Sequence, residues 1–133
     1  MPRLPILTTV IVATSALAGC ISPADYTARL QEIDRTTPTC AGESDCVAKW
    51  ELAQIWIVKH AGYRVQTVTT VVIETFNSTG SSDRLAATVT KEPLGGGRYK
   101  IIAKFWCANS PWCINERLDA TVAFNRYVNE AKP

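Results

Sequence analysis

Metal and redox chemistry find little to work with in this chain. Its 133 residues include one histidine, His60, which excludes most imidazole metal sites and any proton relay that needs two rings. Near the end of a predicted helix, His60 has the ordinary role of a partner for the negative helix terminus. No C-x-x-C pair occurs, so thioredoxin-like exchange is excluded. The Gly95-Gly96-Gly97 run lacks the Lys and Ser/Thr of a phosphate-binding loop, and no dinucleotide fingerprint stands elsewhere. A strong net charge is absent too: fourteen basic residues face twelve acidic ones, a balance that does not point to a nucleic-acid partner. No apolar run reaches the ~20 residues of a membrane-spanning helix, and no internal repeat is visible. No cofactor is expected. Hydrophobic residues nonetheless make up 47% of the chain, which calls for a folded core rather than disorder.

What is present begins at the N-terminus. Arg3 is followed by an apolar stretch from Ile6 to Val12, then by small residues ending in Leu17-Ala18-Gly19-Cys20. Residues 1–19 have the layout of a secretory signal: a basic start, a short apolar middle and a small-residue cleavage zone. The order Leu-Ala-Gly-Cys resembles the lipobox of bacterial lipoproteins. That resemblance covers the first twenty residues and says nothing of the remainder. It implies that the Cys20 thiol receives a diacylglycerol, that the signal is cut just before it, and that Cys20–Pro133 is held to a membrane by lipid. In lipoproteins resembling those of enteric bacteria, Asp after the lipidated Cys favours the inner membrane. Here Ile21 follows, so the expected address is the outer membrane, facing the periplasm.

Four further cysteines, Cys40, Cys46, Cys107 and Cys113, fit an oxidising compartment. CAGESDC and CANSPWC each separate their cysteines by five residues rich in turn formers, which favours the two local disulfides. A crossed pairing and a four-thiolate zinc site are the alternatives, although zinc pairs are usually spaced by two to four residues.

From Cys20 to Thr39 the chain reads as a tether carrying a short helix, with Ser22 as N-cap, Pro23 at the first position and Tyr26, Leu30 and Ile33 on one face. That stripe suits either the domain or a membrane surface. Residues 40–133 then form a single domain. A helix is expected over Ser44–Ala61, with Ser44 and Asp45 at its start and Gly62 just past its end. Its apolar residues, Ile55 and Val58 among them, are numerous enough to predict burial over much of its surface. Two short strands joined near Thr69-Thr70 follow, because the apolar set swaps faces there. Leu85–Lys91 and Tyr99–Cys107 form a hairpin through Pro93–Gly97, and a last helix covers Glu116–Ala131. The order predicts a small two-layer α+β domain: an antiparallel sheet of three to four strands, with an N-terminal and a C-terminal helix on one face.

Candidate functional residues are few. Lys91, Arg98, Lys100 and Lys104 crowd the hairpin, as a solvated face or as a docking surface for an acidic partner or anionic headgroups. Trp106 and Trp112 stand near the two ends of the second cysteine loop, where a bridge would hold aromatic anchors ready for a partner. Trp106, Trp112, Lys100 and Lys104 are therefore the candidate partner-binding set. The sequence points to a non-enzymatic envelope lipoprotein that binds a protein or an envelope polymer, in the manner of an accessory or immunity module. The alternative is an envelope hydrolase or transferase using a carboxylate such as Glu74, which lies among β-branched residues.

Overall fold

The structure is a computed structural model and describes residues 21–109 and 112–132; Cys20 and the signal-like segment lie outside them. Helix α1 (Pro23–Thr36) starts as its sequence demands: the Ser22 hydroxyl accepts a hydrogen bond from the Asp25 amide at 3.1 Å, and Pro23 occupies the first position. None of its residues is buried. After Pro38 a three-residue strand, β1 (Thr39–Ala41), leads directly into helix α2 (Gly42–His60). The next strands are β2 (Val65–Val68), β3 (Val72–Thr75), β4 (Ala86–Gly95) and β5 (Arg98–Trp106), and helix α3 (Ile114–Asn129) closes the described fold.

All strand pairs are antiparallel, in the order β1-β5-β4-β3-β2. The α+β class with an antiparallel sheet is as expected, with five strands rather than three or four. The extra strand, β1, is too short to show an alternating pattern. The turn at Thr69–Val71 does separate two short strands, and β2 carries a register shift between Val65 and Thr67.

One face of the sheet makes the core. Ile73, Ala87, Val89, Ile101, Ala103 and Phe105 pack against Trp50, Ala53, Trp56 and Ile57 of α2 and against Phe124 and Val128 of α3. The Trp56, Phe105 and Phe124 rings meet edge to face at 5.5–6.4 Å between centroids, an arrangement aromatic quadrupoles favour. Helix α2 is less buried than its composition predicts. Val47, Ile55 and Val58 are exposed, Val58 by 70%, because one stripe of about 100° is all that the sheet can cover.

Helix α1 rides mainly on α3 and borders β5, where Asp34 approaches Lys100 and where Tyr26 and Ile33 share a groove with Lys104 and Phe105. The buried Asn125 side chain donates to the Ile33 carbonyl and to Thr36 Oγ1, both at 3.2 Å, and Asn129 donates to the Thr36 carbonyl at 2.8 Å. Nearer its start, Arg29 pairs with Asp119 at 2.8 Å, and Glu32 pairs with Arg126. Tyr26 and Leu30 stay exposed, and Ile33 is half-buried.

Other departures have local causes. Helix α2 begins two residues before Ser44, on Gly42, whose φ of 77° lets the chain turn sharply out of β1. Asp45 then reaches back to accept from the Ala41 amide at 2.9 Å, while the cap residue is Ala41, with no side chain to bond the first turn, rather than Ser44. Strands β4 and β5 run on past Lys91, leaving Gly96-Gly97 as the turn. Pro93 is tolerated within β4 because β3 pairs no further along it than Thr90. Gly62 follows the C-cap residue Ala61, yet its φ is not positive. Its smallness serves a close approach instead.

Candidate functional site

The cysteines form two local disulfides, Cys40–Cys46 and Cys107–Cys113, with S–S distances of 1.99 and 2.03 Å. The crossed pairing and the four-thiolate zinc site therefore do not hold. The first bridge joins β1 to the opening turn of α2; the second joins the end of β5 to the residue before α3. Among the described residues no group of three His, Cys, Asp or Glu side chains could hold a metal ion, and no helix is long and apolar enough to cross a membrane.

The four residues of the expected binding set fall into two places. Strand alternation puts Lys100, Ile102, Lys104 and Trp106 on the sheet face opposite the core. The register sets Trp106 beside Ala86, Lys104 beside Thr88 and Ile102 beside Thr90. Across β4 from these stand Glu74, paired with Thr88, and Val72, paired with Thr90. Phe76 follows β3 with the same parity and is 48% exposed. Trp106 is half-buried, and Ala86 beside it is fully covered. Lys100 has a loose partner in Asp34, at 3.9 Å on α1. Lys91 does not belong to this face: its ammonium lies on the helix side, 5.3 Å from the Trp50 ring centroid and 5.4 Å from that of Tyr99.

Trp112 is on no strand. It is 78% exposed, next to a buried Cys113, and its amide donates to the Asn109 carbonyl at 3.0 Å. The loop carrying it is held at its start by neighbours the sequence does not announce. The Ala108 amide donates to Ser78 Oγ at 2.9 Å, and the Asn109 amide donates to the Ser82 carbonyl at 3.1 Å. Ser78 Oγ in turn lies 3.3 Å from the Tyr63 hydroxyl and donates to the Arg84 carbonyl at 3.3 Å. Hydrogen bonds to the Ser78 and Ser82 hydroxyls hold the Tyr63 phenol below its usual range, helped by the nearby Arg84 guanidinium. That guanidinium lies 5.1 Å from the Tyr63 ring centroid and bonds the Gly62 carbonyl. Tyr63, Ser78, Ser82 and Arg84 thus brace the indole's loop. Their signal was missed because turn-forming serines look alike whether they face water or a neighbouring loop.

His60 stacks on Trp56 at 4.6 Å, with Nδ1 2.9 Å from the Trp56 carbonyl at the end of α2. Glu74 is half-buried on the helix-free face, where its register partners are Thr67 and Thr88. Neither partner is a second acid for two-carboxylate chemistry. Carboxylates do gather in the groove of about 580 Å³ between α1 and α3, lined by Asp25, Glu32 and Asp119. There Arg29 bonds both Glu32, at 3.4 Å, and Asp119, and Arg126 takes the other Glu32 oxygen. Glu32 and Asp119 thus fasten the two helices together, while Asp25 accepts from the Ser22 hydroxyl at the start of α1.

No protein-family model matches the chain, and searches of curated proteins and of solved structures return no match.

Proposed function

We propose that this protein is a non-enzymatic envelope lipoprotein that binds a protein or an envelope polymer through the braced loop carrying Trp112. The observation that carries the reading is the 78% exposure of that indole, beside a disulfide that closes its loop and after Ala108 and Asn109, which bond Ser78 and Ser82. A large aromatic left in water costs solubility, and a held loop loses little entropy when it docks. Tryptophan at such a place is a favoured hot spot. The lipobox-like Leu17-Ala18-Gly19-Cys20 supports an anchor at Cys20, and Ile21 supports outer-membrane residence with the domain in the periplasm. An accessory or immunity-like role, in which a cross-linked domain docks on one partner, fits these features.

Two measurements test this. Trp112→Ala should weaken partner binding by ~2 kcal/mol or more, while its thermal midpoint stays within about 2 °C of the parent, since a surface change is worth under ~0.5 kcal/mol. Affinity capture from the native envelope supplies the partner; a large fall in midpoint would make Trp112 a packing residue and remove the anchor. Separately, Cys20→Ser should abolish incorporation of a fatty-acid analogue, and undiminished labelling of that variant would end the lipoprotein reading.

A further inference from the structure

The helix-free face of the sheet presents a pattern that a second copy of this chain can match. Its middle strand, β4, carries small side chains there: Ala86, Thr88 and Thr90. On one side stand Val72, Glu74 and Phe76; on the other stand Ile102, Lys104 and Trp106. The register aligns these as rows across the sheet, Val72–Thr90–Ile102 and Glu74–Thr88–Lys104, with Ala86 beside Trp106 in the next. Each row is led by residues of one kind at both ends: aliphatic, charged with opposite signs, aromatic. Neither Glu74 nor Lys104 takes part in an ion pair among the described residues.

We infer that this face pairs with the same face of a second copy about a two-fold axis running along β4. Such an axis exchanges the two flanking strands. Glu74 of each chain then faces Lys104 of the other, Phe76 faces Trp106, and Val72 faces Ile102, while the threonines of β4 meet across the axis. A two-fold at right angles to the strands would instead set Lys104 on Lys104 and Glu74 on Glu74, so charge selects the first arrangement. Sheets packed face to face lie ~10 Å apart with strands within about 30° of parallel, a gap that lysine and glutamate side chains span from opposite walls. Over this stretch the charges cancel, Glu74 and Glu92 against Lys100 and Lys104, so a copy meets no net repulsion. The pairing does not depend on the partner proposed for Trp112, which lies beyond the end of β5.

The test uses the full chain as purified, in detergent where it carries lipid, with mass followed by light scattering and sedimentation. The expected result is a concentration-dependent mass of two chains. Glu74→Lys and Lys104→Glu should each weaken association by about tenfold, equivalent to ~1.4 kcal/mol, and the double reversal should restore it. Thr88→Cys should cross-link to its copy with a short bis-maleimide, whereas Glu51→Cys, on the exposed side of α2, should not. Circular dichroism checks that each variant folds; should a charge reversal unfold the chain, the Thr88→Cys cross-link decides alone. A chain that stays monomeric at ~0.5 mM, far above ordinary dimer constants, overturns the inference. So does a dimer indifferent to both reversals, or a monomer whose face variants weaken capture of a different protein.

Discussion

Gly62 lies where the chain leaving α2 passes close to the chain entering β4. A glycine after a helix suggests a left-handed cap, but here the backbone has an ordinary φ and the need is space. A Cβ at this position would stand 2.8 Å from Arg84 Cβ and 2.9 Å from the Leu85 amide nitrogen, and the Gly62 amide donates to the Leu85 carbonyl at 2.7 Å. Gly62→Ala should therefore cost ~1–3 kcal/mol through forced separation of the two segments, measured as a lower urea midpoint with unchanged slope. Asp45 is the second case. The Ala41 amide bonded to its carboxylate lowers its pKa most, burial opposes this, and Lys49 lowers it further. With a folded value below the ordinary one near 4, Asp45 contributes stability that is present above about pH 4 and lost as the pH falls through its folded value. Asp45→Asn should thus be less stable than the parent by about 1 kcal/mol at pH 7, and the gap should close in urea titrations carried toward pH 3. An equal gap at both pH values would assign the loss to packing.

Among the elements, the long periodic ones were readable and the short or borrowed ones were not. Helices α1, α2 and α3 declare themselves through caps and apolar spacing, and β4 and β5 through alternation. Strand β1 is defined only by its partner, since Thr39, Cys40 and Ala41 pair with Lys100, Tyr99 and Arg98. Nothing in three residues encodes that. The docking of α1 was equally hidden, because it depends on polar side chains of α3 from nearly a hundred residues away. Asn125 is only 1% exposed and satisfies two acceptors on α1. Asn125→Ala should remove both inter-helix bonds and open a gap under α1, at a cost of ~1–3 kcal/mol. Hydrogen exchange should show α1 amides opening faster than those of α2; uniform loosening throughout the fold would contradict a local clasp.

At the scale of the whole molecule, the sheet's two faces explain why the fold was easier to infer than the site. The core face follows from alternation and the area to be buried, and these are sums over many residues. The site rests on juxtapositions: the start of the loop that leads to Trp112 is bonded, at Ala108 and Asn109, to serines of another turn, and Lys100, Lys104 and Trp106 gain meaning only beside Val72, Glu74 and Phe76 some thirty residues earlier. The residue types in the candidate set were visible in the sequence, but their division between a loop and a face was not.

If Cys20 carries lipid, the clasp between α1 and α3 also sets a height. A free twenty-residue tether would let a lipid-anchored domain wander several nanometres from its bilayer. Here α1 begins at Pro23 and is fastened along its length, which leaves two residues, Ile21 and Ser22, between Cys20 and the first helical turn. Fully extended, they span roughly 7 Å. On the lipid-anchored reading, the domain would ride at the headgroups like a hull at its waterline. Whatever Trp112 meets would then have to come down to within one domain's thickness of the membrane.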